Sequence, residues 1–206
     1  MIVRYIDEKI LFDPSLSSSD SDGYYRLPDV DFKCLQRLDQ CSANGWSLRF
    51  QMRLNSMTMD KHQREYQLFS SGGHEVYGDG IIINLIQSKS NSYLEVGIKE
   101  YQTDQIAYYW HLEIDVEMDQ WIDMVTTIKK LPTHLGQHHI LTVYLDGYFY
   151  NETVVENFAD WSAFRYKQLR PKMINIYGKS HAGLSIFREI MYYEHVLTEE
   201  EIGNSE

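Results

Sequence analysis

The chain has 206 residues, 43% of them apolar, which is enough for one domain with a sizeable core; all-β sandwiches often reach this length unsplit. Acidic residues outnumber basic ones 30 to 19, a formal net charge of −11. That field repels nucleic acid and anionic lipid, and no apolar run approaches the roughly 18 residues of a membrane span, so nucleic-acid binding and membrane insertion are not expected of this stretch.

The chain opens on Met1-Ile2-Val3-Arg4-Tyr5 and runs directly into Asp7, Glu8 and Lys9, which is not the pattern of a cleavable signal. It reads as a module of a larger protein. Residues 13–23, rich in Ser and Asp, form a surface turn, so residues 1–33 are expected to add a strand and a polar loop to the sandwich formed by residues 34–206. Cys34 and Cys41 follow. Zinc needs further ligands close by and no second Cys pair exists, while the spacing is not the CxxC of a redox enzyme. A local disulfide and two free thiols both remain open; the disulfide is the preferred reading and points to an oxidising compartment. A loop this short would gain little chain entropy from closure, so the bridge would pin the entry segment rather than stabilise the whole fold.

From Trp46 onward the chain reads as strands. In Trp46–Leu54, Trp46, Leu48, Phe50, Met52 and Leu54 share one face while Ser47, Arg49, Gln51 and Arg53 share the other, the period-two pattern of a half-buried strand. Further runs fall at 66–70, 80–86, 93–99, 106–118, 121–128, 140–145, 148–155, 173–177 and 184–193, separated by Gly, Asp and Asn turn residues. The clearest hairpin pivots on Asp146-Gly147, the pair a type I′ turn requires because both central residues need positive φ. Asn151-Glu152-Thr153 is a glycosylation sequon at Asn151. Residues 156–170 hold Trp161, Phe164, Arg165 and Tyr166, residue types that dominate interface energetics, and form the expected partner-binding segment; its structural alternative is a loop folded back onto the sandwich. The one helix expected is C-terminal, where Thr198-Glu199-Glu200-Glu201 is a capping box. These elements predict an all-β fold, a two-sheet antiparallel jelly-roll sandwich with a short C-terminal helix.

The order of Trp46-Ser47-Leu48-Arg49-Phe50, Leu68–Gly73, Gly78–Ile81, Tyr93–Val96, Trp121, Leu141–Gly147, Ile186–Tyr192 and Leu197–Ile202 resembles laminin-G-like domains of the concanavalin A-like superfamily. The resemblance covers about Cys34 to Ile202 and is most specific at the Val143–Gly147 hairpin and the closing Leu197–Ile202 segment. It implies that Trp121, Val143 and Leu145 pack between the sheets. It also implies an extracellular or cell-surface setting, in keeping with the cysteine pair and the sequon, and a recognition or adhesion role without turnover. A protein is the expected partner and a glycan the alternative. Two features depart from the pattern: residues 156–170 are long and aromatic for a connector, and no set of loop carboxylates matches the calcium sites of many relatives. Asp79 alone cannot hold an ion that wants six to eight oxygens, so no cofactor is expected.

One constellation points instead to chemistry. Glu113, Asp115 and Glu117 alternate along one strand, the arrangement retaining β-glucanases of the same superfamily use for nucleophile, tuning aspartate and acid. The competing reading is an exposed acidic strand face with Leu112, Ile114, Val116 and Met118 directed inward. Trp121 follows only four residues after Glu117, too close for the glucanase order, and no enzyme is expected. The eight histidines form no HxxxH or HExxH, and no GxSxG, P-loop or dinucleotide fingerprint is present.

Overall fold

A computed structural model describes residues 8–12, 24–26, 45–56, 65–70, 80–87, 91–102, 105–132, 138–155, 175–177 and 185–203. The strands are β1 (Glu8–Phe12), β2 (Tyr24–Arg26), β3 (Gly45–Leu54), β4 (Glu65–Ser70), β5 (Gly80–Gln87) and β6 (Ser92–Gln102). They continue as β7 (Gln105–Asp115), β8 (Trp121–Lys130), β9 (His139–Leu145), β10 (Tyr148–Val155), β11 (Asn175–Tyr177) and β12 (Ser185–Tyr193), followed by α1 (Glu199–Gly203). They make two six-stranded sheets, ordered β1-β12-β3-β8-β9-β10 and β2-β11-β4-β5-β6-β7. Every pairing is antiparallel, and the architecture is the expected jelly-roll sandwich.

The register brings distant parts of the chain together. Strand β1 pairs with β12, so segments near the two ends of the sequence lie side by side, and β12 continues onto β3. Between the sheets the alternating apolar residues of β3 meet those of β4, β5 and β6; Phe50 of one sheet and Phe69 of the other stack edge to face with centroids 5.1 Å apart. Trp46 and Tyr192, both buried, sit at 6.4 Å in a tilted pair.

Local chemistry sets the turns. Gly45 has φ of +119° at the start of β3, and a Cβ there would lie 1.8 Å from the carbonyl oxygen of Ile128, so only glycine admits this approach to β8. Asp146 (φ 50°) and Gly147 (φ 85°) both have positive φ, as the type I′ reading requires. The turn is also docked: the Asp146 amide donates to the Asp123 carbonyl at 2.8 Å, and Asp146 Oδ1 accepts from the Asp123 amide at 3.0 Å. The capping box forms as predicted. The Glu201 amide donates to Thr198 Oγ1 at 3.3 Å, while Glu201 Oε2 accepts from the Thr198 amide at 2.8 Å.

Two expectations about faces are corrected. Trp121 is not between the sheets: it precedes inward Ile122 and Met124 by odd steps and is 42% exposed on the outer face of the first sheet. Val143 is buried and Leu145 partly buried against the core, as expected. Strand β3 is not half-exposed over its whole length either. Ser47 is 0% and Arg49 3% exposed on its polar face, because the chain's C-terminal segment covers that half of the sheet.

Candidate functional site

The outer face of the first sheet has a covered half and a bare half. On the covered half, Ser47 Oγ accepts the Leu197 amide at 2.9 Å and donates to the His195 carbonyl at 2.9 Å, fastening the strand-to-helix connection across β3. Arg49 forms a bidentate fork with Asp123 of β8, its Nε at 2.8 Å from Oδ1 and its Nη2 on Oδ2. Above this pair, Leu197 and Ile202 pack on Val125, with Tyr144 and Tyr193 at the margin. A guanidinium this deep is tolerated because the planar fork is matched by a carboxylate.

The bare part lies along β10; on the outer face of neighbouring β9, Thr142 is buried and Ile140 and Tyr144 are half-buried. Tyr148, Phe149 and Tyr150 are three consecutive aromatic residues with exposures of 79%, 55% and 37%, and Val154 is 46% exposed. They are exposed because β10 is the last strand of its sheet, with β9 as its ladder partner, and because a bulge between Phe149 and Asn151 interrupts the alternation. The register places Phe149 opposite Tyr144, Glu152 opposite Thr142 and Val154 opposite Ile140. The Phe149 ring meets Tyr144 edge-on at 6.0 Å and 82°. Tyr150 takes a different role: its hydroxyl oxygen accepts the Asp115 amide of β7 at 2.9 Å, which ties the end strands of the two sheets together.

Electrostatics sharpen the picture. Burial first, then the charges of Glu199 and Glu152, raise the Tyr144 phenol above its ordinary value. At the start of β9, His139 is buried and lowered to about 4, first by burial and then by Lys130 and His138, and it is neutral at physiological pH.

The acidic trio divides at the end of its strand. Glu113 and Asp115 lie on β7, whereas Glu117 lies beyond its last residue; all three are exposed. Leu112 and Ile114 are buried and Val116 and Met118 pack partly against the core, the inward set expected for an exposed acidic strand face. Glu113 is paired opposite Glu95, and Glu117 Oε2 accepts from Gln120 Nε2 at 2.6 Å. The sequon residue Asn151 is exposed on β10, its Oδ1 accepting the Glu152 amide at 2.9 Å. Cys34, Cys41, Asp79, Trp161, Phe164, Arg165 and Tyr166 lie outside the described residues. Among the described residues no three His, Cys, Asp or Glu side chains are placed to hold a metal ion, and no helix is long and apolar enough to cross a membrane.

The β10 aromatic strip was not singled out by sequence reasoning, although a signal was available. Three aromatics in succession on a strand cannot all face one core, and a sequon beside them marks the same strand as surface.

No family model matches the chain, and no curated protein matches it in sequence. Solved structures do resemble it. The binding domain of botulinum neurotoxin DC, in complex with rat synaptotagmin II, superposes with a TM-score of 0.52 at 13% identity, over 95% of this chain and 44% of that one. The botulinum neurotoxin serotype D binding domain superposes with a TM-score of 0.56 at 12% identity, over 96% of this chain and 45% of that one. The chain thus spans less than half the length of these domains, and the likeness is one of fold.

Proposed function

We propose that the chain is an extracellular recognition module of the laminin-G-like kind that binds a protein partner through the outer face of β9 and β10. The observation that carries this reading is Phe149, exposed beside Val154 on the outer face of end strand β10, with Tyr148 exposed at the hairpin end, in a sheet whose other outer half is covered by the chain itself. Large rings left in water return nothing to folding, and aromatic anchors are the side chains on which protein interfaces most depend. One structural neighbour is a binding domain in complex with a protein, which accords with protein recognition on this type of sandwich. Trp161, Phe164, Arg165 and Tyr166, which lie outside the described residues, are a second candidate segment for the same partner. An extracellular setting agrees with the exposed sequon at Asn151, and a Cys34–Cys41 bridge, in residues outside those described, belongs to the same proposal.

The test is capture of extracellular proteins by the wild-type chain and by the Tyr148→Ser/Phe149→Ser variant, read by mass spectrometry. A partner held by wild type and lost by the double variant supports the reading. Equal retention by both sinks it. A glycan array run in parallel, with and without calcium, separates protein recognition from sugar recognition.

A further inference from the structure

The bare half is not uniformly apolar, and the placement of its charges restricts what can lie on it. Along the outer face, Ile140, Thr142 and Tyr144 of β9 run beside Val154, Glu152 and Phe149 of β10. An exposed carboxylate, Glu152, therefore sits between two exposed apolar side chains. The first turn of α1 adds Glu199 and Glu200, both exposed, and the helix rests against Tyr144 through the Ile202 cluster. Asp146 is exposed at the hairpin turn, close to the helix end, since Gly147 lies beside Gly203. Residues 140–155 and 196–203 contain no Lys, Arg or His. Among the described residues, the basic side chains flanking this face are Lys129 of β8, opposite Ile140 at the end away from the turn, and Arg49 of β3, in the row of Tyr144 and already paired with Asp123. His195, just before the helix, approaches Glu201 at 3.7 Å.

We infer that the partner segment is both cationic and apolar: an arginine- or lysine-bearing stretch of protein whose apolar side chains rest on Phe149 and Val154 while its charge meets Glu152 and Glu199. This rests on the recognition reading above and goes further by naming the partner's chemistry. A guanidinium suits the site because its plane can lie on an aromatic face while its edge bonds a carboxylate, and Glu152 stands in the row next to the Tyr144–Phe149 pair. Other occupants meet repulsion. A second copy of this chain using the same patch would set carboxylates against carboxylates across a two-fold axis. Nucleic acid and anionic lipid are repelled by the same charges.

The experiment is selection of random short peptides displayed on phage against the immobilised wild-type chain, with each survivor then tested for binding to Phe149→Asp. Circular dichroism checks that each variant keeps its strand spectrum. Survivors should place Arg or Lys beside Leu, Ile, Phe or Trp several times more often than the unselected library does. A survivor made as a synthetic peptide should bind E152K/E199K about tenfold or more weakly than wild type, with binding that weakens as salt is raised. Peptides that lack basic residues, are lost in Phe149→Asp and bind E152K/E199K undiminished overturn the charge inference and leave the recognition surface standing. Peptides that bind Phe149→Asp as well as wild type overturn both.

Discussion

One face of one sheet carries two solutions to the same problem. Over β3 and β8 the polar groups are buried and matched, Ser47 to the His195–Leu197 turn and Arg49 to Asp123, and the C-terminal segment closes over them. Along β10 the rings of Tyr148 and Phe149 remain in water. In the first half, side chains ordinarily left outside serve stability; in the second, side chains ordinarily kept inside are left available to a partner. Burial of Leu197 and Ile202 contributes on the order of 2 kcal/mol each, whereas Tyr148 and Phe149 contribute little to the fold.

That contrast can be broken from either side. The largest effect belongs to Gly45→Ala, which sets a methyl against the Ile128 carbonyl in a strained backbone region and should cost about 4 kcal/mol or more, read by chemical denaturation. A folded, equally stable G45A would show that β3 and β8 can separate at that point. Next is Asp123→Ala, which strands the Arg49 guanidinium under the C-terminal segment and should cost about 3 kcal/mol. The paired replacement R49M/D123L should recover most of that loss, and a double-mutant cycle without coupling would contradict the fork.

The third prediction concerns pH. Folded His139 titrates at about 4 against 6.5 for an ordinary histidine, so between those values the unfolded chain binds more protons than the folded one. Stability from neutral His139 is complete above pH 6.5 and is lost as pH falls towards 4, by up to about 3 kcal/mol. His139→Gln should flatten that part of the stability profile, and an unchanged slope would assign the loss to other groups. The smallest effect is expected on the bare half. Tyr148→Ser/Phe149→Ser should shift stability by no more than about 0.5 kcal/mol while removing partner binding. A much larger loss would place these rings among the residues that hold the fold.

Much of this architecture follows from local sequence rules. The alternation in 46–54 fixed which side chains share a face, Asp146-Gly147 fixed a type I′ turn, and Thr198 with Glu201 fixed the start of the helix, because each depends on residues within a few positions of one another. Period two, however, groups side chains without saying which group is covered. Only the assembled sheets turned Trp121 outward, buried Ser47 and Arg49 beneath a segment some 150 residues later in the chain, and left Tyr148 and Phe149 bare on an end strand. Strand order and the path of the C-terminal segment are set by long-range pairing, which local periodicity does not encode.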